Sequence, residues 1–314
     1  MTWEFKKSFY GKKEELHKEN IRKFLEDSYY FIPYTIFHGL YRVVYCEGDL
    51  NYINSKIKKP FPDILIAQNP GQKFAMHFSG GLDSAVLAKL YDREDVDYLH
   101  VGVVEDKKAK AMADNLKGKF HHINVTPKDF IAAAEEALPQ YAEPEPDAAS
   151  LLAYIASKKA KELGHALIVT GDCGDTIFGG HLPKPHSEKA MVIWKTLHPN
   201  QLLGLKTFMP YGHPALKVWA RATLEPREYD FEKLFLKEYA RSIGLPKEIT
   251  EQKKLGWGGC WDYATNEVVD KHMKGIISNS KYKWVSDLVA PEKRMHKTTF
   301  REYSLVKWLE RNDK

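Results

Sequence analysis

The chain has 314 residues, of which 43% are hydrophobic and 28% charged, so it can bury a sizeable core and has the composition of a globular protein. No apolar run approaches the roughly 20 residues that a bilayer-spanning helix needs. No apolar signal segment follows Met1 either, so we expect a cytoplasmic protein. The three cysteines lie far apart, which argues against a Cys-x-x-Cys zinc site and against a disulfide framework.

The formal net charge of +5 is a mild excess spread along the chain. Basic residues are densest in segments 6–13, 56–59 and 281–297. Such runs are typical of solvated faces, and they also leave nucleic-acid binding open. An enzyme that handles anionic nucleotides is equally compatible with this charge.

The first 68 residues combine helix and strand signals. Apolar side chains recur near helical spacing in segment 12–27, and segment 41–45 has the pattern of a strand. Pro60 and Pro62 interrupt the pattern and indicate a boundary. We therefore predict an N-terminal extension over residues 1–68.

Strands and helices alternate from about residue 70. We predict strands over residues 74–78, 98–104, 121–125 and 166–170. The intervening helices cover residues 84–91, 107–117 and 148–163, and a further helix begins with Thr126 as its cap and Pro127 at its first position. This alternation predicts an α/β core over residues 69–200, in which helices cover both faces of a doubly wound parallel sheet.

The strand pattern fades after about residue 200. Helices are expected over residues 231–243 and 299–311, with a glycine-containing loop at 256–259. Trp257 and Trp261 beside this loop could close over a substrate or anchor a core. Region 201–314 is therefore predicted to be mostly helical and to complete the active site.

A glycine-containing loop joins the first core strand to its helix. Its members are Ser79, Gly80, Gly81, Leu82, Asp83 and Ser84. A helix N-terminus attracts phosphate, and glycines allow the backbone to approach it closely. Asp83 would repel a bare phosphate unless Mg²⁺ bridges the two groups. The loop lacks the Lys-Ser/Thr ending of a Walker loop. A turn in which Asp83 and Ser84 only cap the helix is the alternative.

A second acidic loop follows the fourth core strand, where residues 170–180 read Thr-Gly-Asp-Cys-Gly-Asp-Thr-Ile-Phe-Gly-Gly. Open α/β sheets bind ligands at the carboxyl ends of their strands. The Asp172 and Asp175 carboxylates could complete a Mg²⁺ site together with Asp83.

These two loops resemble those of the asparagine synthetase family, which includes β-lactam synthetase, within the PP-loop ATP pyrophosphatases. The resemblance implies an adenine nucleotide alpha hydrolase-like fold, with ATP and Mg²⁺ as cofactors. It places pyrophosphate on the first loop and Gly171, and metal on Asp83 and Asp175. Asp172 stands where the family has a catalytic Glu that is one methylene longer. Cys173 and Thr176 replace a Gly and a Glu of the usual motif.

The same resemblance assigns roles to further residues. Val101 and Val103 would line the adenine pocket, although a buried strand alone would also explain them. Lys254 would contact the phosphates and offset charge in the transition state, with Lys253 as a neighbouring candidate. A surface lysine is the plainer interpretation of this segment.

Tyr141 lies on a proline-rich loop and could form a catalytic dyad with Asp172, as a Tyr–Glu pair does in the β-lactam synthetase-like branch. A polar connecting loop is the favoured interpretation of this segment.

The family usually carries an N-terminal glutaminase domain whose nucleophile is an N-terminal cysteine. Here Met1 precedes Thr2, the first cysteine is Cys46, and the stretch before the first loop is short. We therefore expect a chain without that domain, which uses free ammonia, a separate glutaminase subunit or an amine on its substrate. The predicted function is an AMP-forming amide ligase acting on a small-molecule carboxylate. The alternatives are adenylation of a nucleobase in tRNA or DNA, and a non-catalytic nucleotide-binding partner of a glutaminase.

Overall fold

The computed structural model describes residues 4–10, 18, 22, 41–47, 61–102, 107–179, 194–213, 215–216, 219–220, 233–251, 260–295 and 297–312. The described residues divide into two compact units. The α/β unit lies within Gly48–Asn124 and Ala156–Gly258, and the second unit lies within Phe5–Glu47, Val125–Ile155 and Gly259–Lys314. The helix expected over residues 12–27 falls mostly outside the described residues. The domain boundaries expected near residues 68 and 200 stay predictions.

Two sheets are described. The first is two-stranded and pairs β1 (Glu4–Tyr10) with β2 (Tyr41–Glu47), so the strand expected at 41–45 is confirmed. The second sheet contains five strands, which are β3 (Phe74–His77), β4 (Val96–Gly102), β5 (Lys119–Asn124), β6 (Leu167–Val169) and β7 (Lys206–Phe208). Every pairing in the second sheet is parallel, in the order β5-β4-β3-β6-β7, as the doubly wound α/β prediction requires.

The described helices follow the predicted alternation closely. In chain order they are α1 (Phe61–Ile66), α2 (Leu82–Leu90), α3 (Lys107–Ala113), α4 (Pro127–Ala137), α5 (Ala149–Glu162), α6 (Gly174–Phe178), α7 (Trp194–Leu203), α8 (Leu234–Ser242), α9 (Lys247–Thr250), α10 (Cys260–Ala264), α11 (Glu267–Asn279) and α12 (Thr298–Asn312). Short 3₁₀ helices occur at Leu138–Gln140, Pro210–Gly212, Lys283–Leu288 and Pro291–Lys293. None of the described helices has the length and apolar character needed to cross a bilayer.

β7 corrects the expectation that the strand pattern ends near residue 200. It pairs with β6 through Leu167–Lys206, Ile168–Thr207 and Val169–Phe208. The strand has only three residues, of which Lys206 is exposed and Phe208 is buried. Such a short segment carries too little alternation to be recognised from sequence, and its pairing with β6 defines it instead.

The sheet core explains the apolar runs of the sequence. All residues of β3, β4 and β6 are buried, because a parallel sheet is covered on both faces. An aromatic cluster closes the unit around Phe61, whose ring centroid lies 5.1 Å from that of Phe178 and 5.0 Å from that of Tyr239. Phe178 also stacks on Phe235, with ring centroids 6.2 Å apart. The cluster therefore ties α1, the end of α6 and the start of α8 together.

The second unit is organised around α4, α11 and α12. Thr126 caps α4 and Pro127 is its first residue, as predicted, and Asp129 completes a reciprocal capping box with Thr126. The Glu135 carboxylate of α4 receives hydrogen bonds from Tyr303 at 2.6 Å and contacts Lys307 at 2.5 Å. These contacts link α4 to the C-terminal helix.

Candidate active site

The strand order brings the two acidic loops together. β3 and β6 are neighbours, with Ala75 opposite Ile168 and Met76 opposite Val169. The chain runs from β3 outward through β4 and β5, then returns to the other side of β3 with β6. This reversal is the switch point at which open α/β sheets bind ligands. Because both strands are parallel, the loops that follow them meet at one edge of the sheet.

The first loop is held by its own hydroxyls and by one glycine. Gly80 has a φ of 73°, a left-handed conformation that glycine adopts without strain. The Ser79 and Ser84 hydroxyl oxygens lie 3.1 Å apart, and the Gly81 amide donates to Ser79 Oγ at 3.3 Å. Gly81 is the N-cap residue of α2, and half-buried Leu82 begins that helix. The loop thus turns a buried strand into a helix N-terminus that suits an anion.

The second loop packs directly on Asp83, and its glycines make room for the contact. A Cβ on Gly171 would lie 3.2 Å from Asp83 Cβ, and one on Gly174 would lie 2.3 Å from Asp83 Oδ1. Buried Tyr211 donates a hydrogen bond to the Asp83 carbonyl oxygen at 3.0 Å. The Asp83 main chain and carboxylate are therefore fixed from two sides.

Asp83 and Asp175 converge on a single ammonium group, that of Lys233. Lys233 Nζ lies 2.7 Å from Asp83 Oδ1, 2.5 Å from Asp83 Oδ2 and 2.6 Å from Asp175 Oδ1. The lysine is 6% exposed. Burial alone would lower the pKa of Lys233, but the two carboxylates outweigh it and the pKa is raised. The ammonium is therefore charged and neutralises one of the two carboxylate charges.

Lys233 is positioned by the backbone and by the aromatic cluster around Phe61. It immediately precedes α8 and has a φ of 54°, unusual for a residue with a side chain. Phe235, two residues later, stacks on Phe178, the last residue of α6. Since Asp175 lies at the start of α6, this packing holds the ammonium beside it.

The donor set fits a magnesium ion. Mg²⁺ prefers oxygen ligands and is commonly held by one or two carboxylates, with phosphate oxygens and water completing its shell. Asp83 and Asp175 lie within contact of one common cation, which is the arrangement such an ion needs. Within the described part of the chain, no group of three or more His, Cys, Asp or Glu side chains could hold a metal. Asp83 and Asp175 would supply two carboxylate ligands to such an ion.

Asp172 has a separate set of partners next to this pair. Its Oδ2 accepts hydrogen bonds from Thr170 Oγ1 at 2.9 Å and from Thr196 Oγ1 at 2.5 Å. Lys195 Nζ lies 3.4 Å from its Oδ1. Thr196 and Lys195 lie on α7, which the sequence did not predict. The Asp172 carboxylate is thus firmly oriented just after β6.

A neutral histidine lies at the end of β3. Burial lowers the pKa of His77 to about 4, a shift that Asp172 opposes and Lys195 reinforces. His77 Nε2 is 3.0 Å from Ser157 Oγ, which in turn donates to Asn200 at 2.5 Å. This buried chain of polar groups connects β3, α5 and α7 within the α/β unit.

The remaining candidate residues are distributed differently. Val101 is fully buried in β4, whereas Val103 and Lys254 lie outside the described residues. Tyr141 belongs to the second unit, where burial raises the pKa of its phenol. The Tyr141–Asp172 dyad therefore stays a prediction. Lys233 was not predicted from sequence, because it lies 150 residues from Asp83 and no local pattern marks it.

Part of this chain is similar to known proteins. The asparagine synthase family model matches residues 71–229, which is half of the chain. An asparagine synthetase (glutamine-hydrolyzing) from Zea mays is 30% identical over 128 residues, covering 35% of this chain and 22% of the maize protein. A homologous synthetase from Oryza sativa subsp. japonica is also 30% identical over 128 residues, with 21% of its length covered. The matched segment thus spans about a fifth of these curated relatives.

A solved NMN synthetase structure from Francisella tularensis aligns with 82% of this chain and 94% of that chain, at 13% identity and a TM-score of 0.34. The family match contains both acidic loops and the sheet that brings them together. The chain belongs to the asparagine synthase family, a family of ATP-dependent amide-forming ligases.

Proposed function

We propose that this protein activates a small-molecule carboxylate with ATP and converts it to an amide. One observation carries the proposal. Asp83 and Asp175 converge on the same cation, the Lys233 ammonium, at the switch point of a parallel sheet. Two glycine-containing loops meet at this point, and Asp83 itself lies in the first turn of α2. A magnesium-bound triphosphate is the ligand class that suits such a site.

The reaction proceeds in two steps. A carboxylate oxygen of the substrate attacks the α-phosphorus of ATP, the bond to the bridging oxygen breaks, and pyrophosphate leaves. The nitrogen of ammonia or an amine then attacks the acyl carbon, the bond to the AMP oxygen breaks, and the nitrogen loses a proton. The products are an amide, AMP and pyrophosphate.

Each candidate residue has a role in this scheme. Ser79, Gly80, Gly81 and Ser84 would hold the pyrophosphate, and Asp83 with Asp175 would hold Mg²⁺, which would supply charge neutralisation to the phosphates. Val101 and Val103 border the adenine, and Lys254 offsets charge that develops on the transferring phosphoryl group. Asp172, with Tyr141 as a further candidate, orients the attacking nitrogen or accepts its proton.

The firm hydrogen bonding of Asp172 favours an orienting role in the second step. Two hydroxyl donors and one ammonium contact its carboxylate, so its direction is set before a substrate arrives. The amine comes from free ammonia, from a separate glutaminase subunit or from the substrate itself.

A product screen tests the proposal. The purified protein is incubated with ATP, Mg²⁺ and ammonium, together with pools of amino acids, other carboxylates, nucleosides and nucleic acids. Phosphorus NMR identifies the products, and we expect AMP and pyrophosphate with one carboxylate pool. ADP and inorganic phosphate as products would contradict the scheme.

Two variants make the screen specific to the site. Asp175→Asn removes a carboxylate that contacts the common cation, so pyrophosphate release is expected to stop. Asp114→Asn is a matched control, because Asp114 pairs with Lys110 on an exposed surface of the α/β unit. The control should retain wild-type turnover.

A further inference from the structure

The ammonium of Lys233 occupies the place that a metal ion bound by Asp83 and Asp175 would need. It contacts three carboxylate oxygens at 2.5–2.7 Å, and its side chain is 7% exposed. The carboxylates themselves are only about a fifth exposed, at 22% and 23%. A divalent ion held at this place by both carboxylates would therefore have to displace the ammonium.

Charge makes the exclusion selective. With Lys233 present, the pair Asp83–Asp175 has a net charge of one negative unit, and a free divalent ion would meet an adjacent positive charge. A nucleotide brings phosphate oxygens together with its metal ion. Those phosphate oxygens would pair with the displaced ammonium, while the metal ion would pair with the two carboxylates. Every charged group would therefore keep a partner of opposite charge.

The position of Lys233 in the chain is suited to such a movement. The residue lies before the first turn of α8, so its backbone is outside the helix and its long side chain is the part that reaches the carboxylates. The aromatic contacts of Phe235 hold α8 in place without involving the lysine head group. Rotation about the side-chain bonds of Lys233 is the movement that would take the ammonium away from the carboxylates.

We propose that Lys233 is the resident counter-ion of the Asp83–Asp175 pair, which excludes free divalent cations and admits a metal ion only together with a nucleotide. This inference rests on the proposed function, since it assumes that the pair holds the metal of a metal–nucleotide complex. Lys233 acts here as a positioning residue that sets the order of binding. Metal and nucleotide would enter as one complex.

Manganese binding measured by electron paramagnetic resonance tests the inference without any turnover. Wild-type protein should bind Mn²⁺ only weakly on its own, at concentrations above the low millimolar range, and should bind it more tightly when α,β-methylene-ATP is added. Lys233→Met removes the charge and keeps most of the length of the side chain. We expect Mn²⁺ alone to bind this variant about 10- to 100-fold more tightly than wild type.

Two further variants control the measurement. Lys233→Arg retains a positive charge and should continue to exclude free Mn²⁺. Lys159→Met removes a lysine of the same unit that pairs with Glu162 on the surface, and should behave as wild type. Circular dichroism checks the fold of each variant, and Lys233→Gln replaces the Met variant should that one not fold.

The possible outcomes distinguish a failure of the role of Lys233 from a failure of the proposed function. Equal Mn²⁺ affinity of nucleotide-free wild type and of the uncharged variant would overturn the role of Lys233, even if wild type still binds α,β-methylene-ATP with its metal. Failure of wild type to bind the metal–nucleotide complex at all would instead contradict the proposed function. Tight Mn²⁺ binding by the uncharged variant, and not by Lys233→Arg, would support the inference.

Discussion

Gly174 is the position where one added methyl group should have the largest effect on the site. A Cβ at this residue would lie 2.3 Å from Asp83 Oδ1 and 2.7 Å from Asp83 Cγ. Ordinary contact requires the Asp83 carboxylate to move by about 1 Å. Such overpacking typically costs about 1–3 kcal/mol of folding free energy. Helix propensity would offset part of this cost, because Ala stabilises a helix relative to Gly.

The movement would take the Asp83 carboxylate away from the place, now filled by the Lys233 ammonium, where Asp83 and Asp175 meet. We expect Gly174→Ala to weaken binding of magnesium α,β-methylene-ATP by about 10- to 100-fold, as changes beside a metal ligand usually do. Isothermal titration calorimetry measures this affinity, and urea denaturation measures the stability. Gly71→Ala is the control, because a Cβ there meets nothing within 4 Å. Wild-type affinity and stability of Gly174→Ala would refute the proposed packing of the two loops.

Three further predictions concern groups around the loops. Burial holds the pKa of His77 at about 4, below the usual 6.5, so the unfolded chain binds more protons than the folded chain between these pH values. The free energy of unfolding should therefore fall by about 3 kcal/mol in total as the pH drops from 6.5 to 4. Urea denaturation above pH 6.5 and near pH 4 measures this loss, which should be smaller for His77→Gln. Thr196→Val removes a hydroxyl that donates to Asp172 and should cost about 1.5–3 kcal/mol in the same assay, whereas Thr196→Ser should restore most of it. Tyr211→Phe removes the hydrogen bond to the Asp83 carbonyl and should cost about 1 kcal/mol, and an unchanged urea midpoint would contradict the contact.

The α/β core could be predicted from sequence because its strands are continuous apolar runs separated by helical periodicity. β3 and β4 are buried along their whole length, so burial on both faces leaves a clear signal. The cap at Thr126 was predictable for a similar reason, since a capping box is a local pattern. β7 was not predictable, because three residues define it only through their pairing with β6.

The two loops could be identified as ligand-binding candidates, but their contacts could not. Glycines after a strand indicate close approach of something to the backbone, without saying what approaches. At Gly174 the neighbour is the Asp83 carboxylate, which comes from a different part of the chain. That contact depends on β3 and β6 being adjacent, which only the strand order establishes.

Lys233 illustrates the limit of sequence reasoning most clearly. Lysine is usually an exposed residue, and nothing beside it in the sequence distinguishes it from the other basic residues. Its burial follows from the packing of Phe235 on Phe178 and from two carboxylates supplied by separate loops. These are tertiary effects, so the counter-ion of the acidic pair appears only once the chain is folded.

Phosphorus ENDOR spectroscopy of bound manganese α,β-methylene-ATP tests most directly whether Asp83 and Asp175 together hold a metal-bound triphosphate. We expect coupling between Mn²⁺ and phosphorus in the wild-type complex. Asp83→Asn and Asp175→Asn should each abolish this bound signal, whereas Asp114→Asn should preserve it. An undiminished signal in both site variants would show that the triphosphate is held elsewhere and would contradict the central claim.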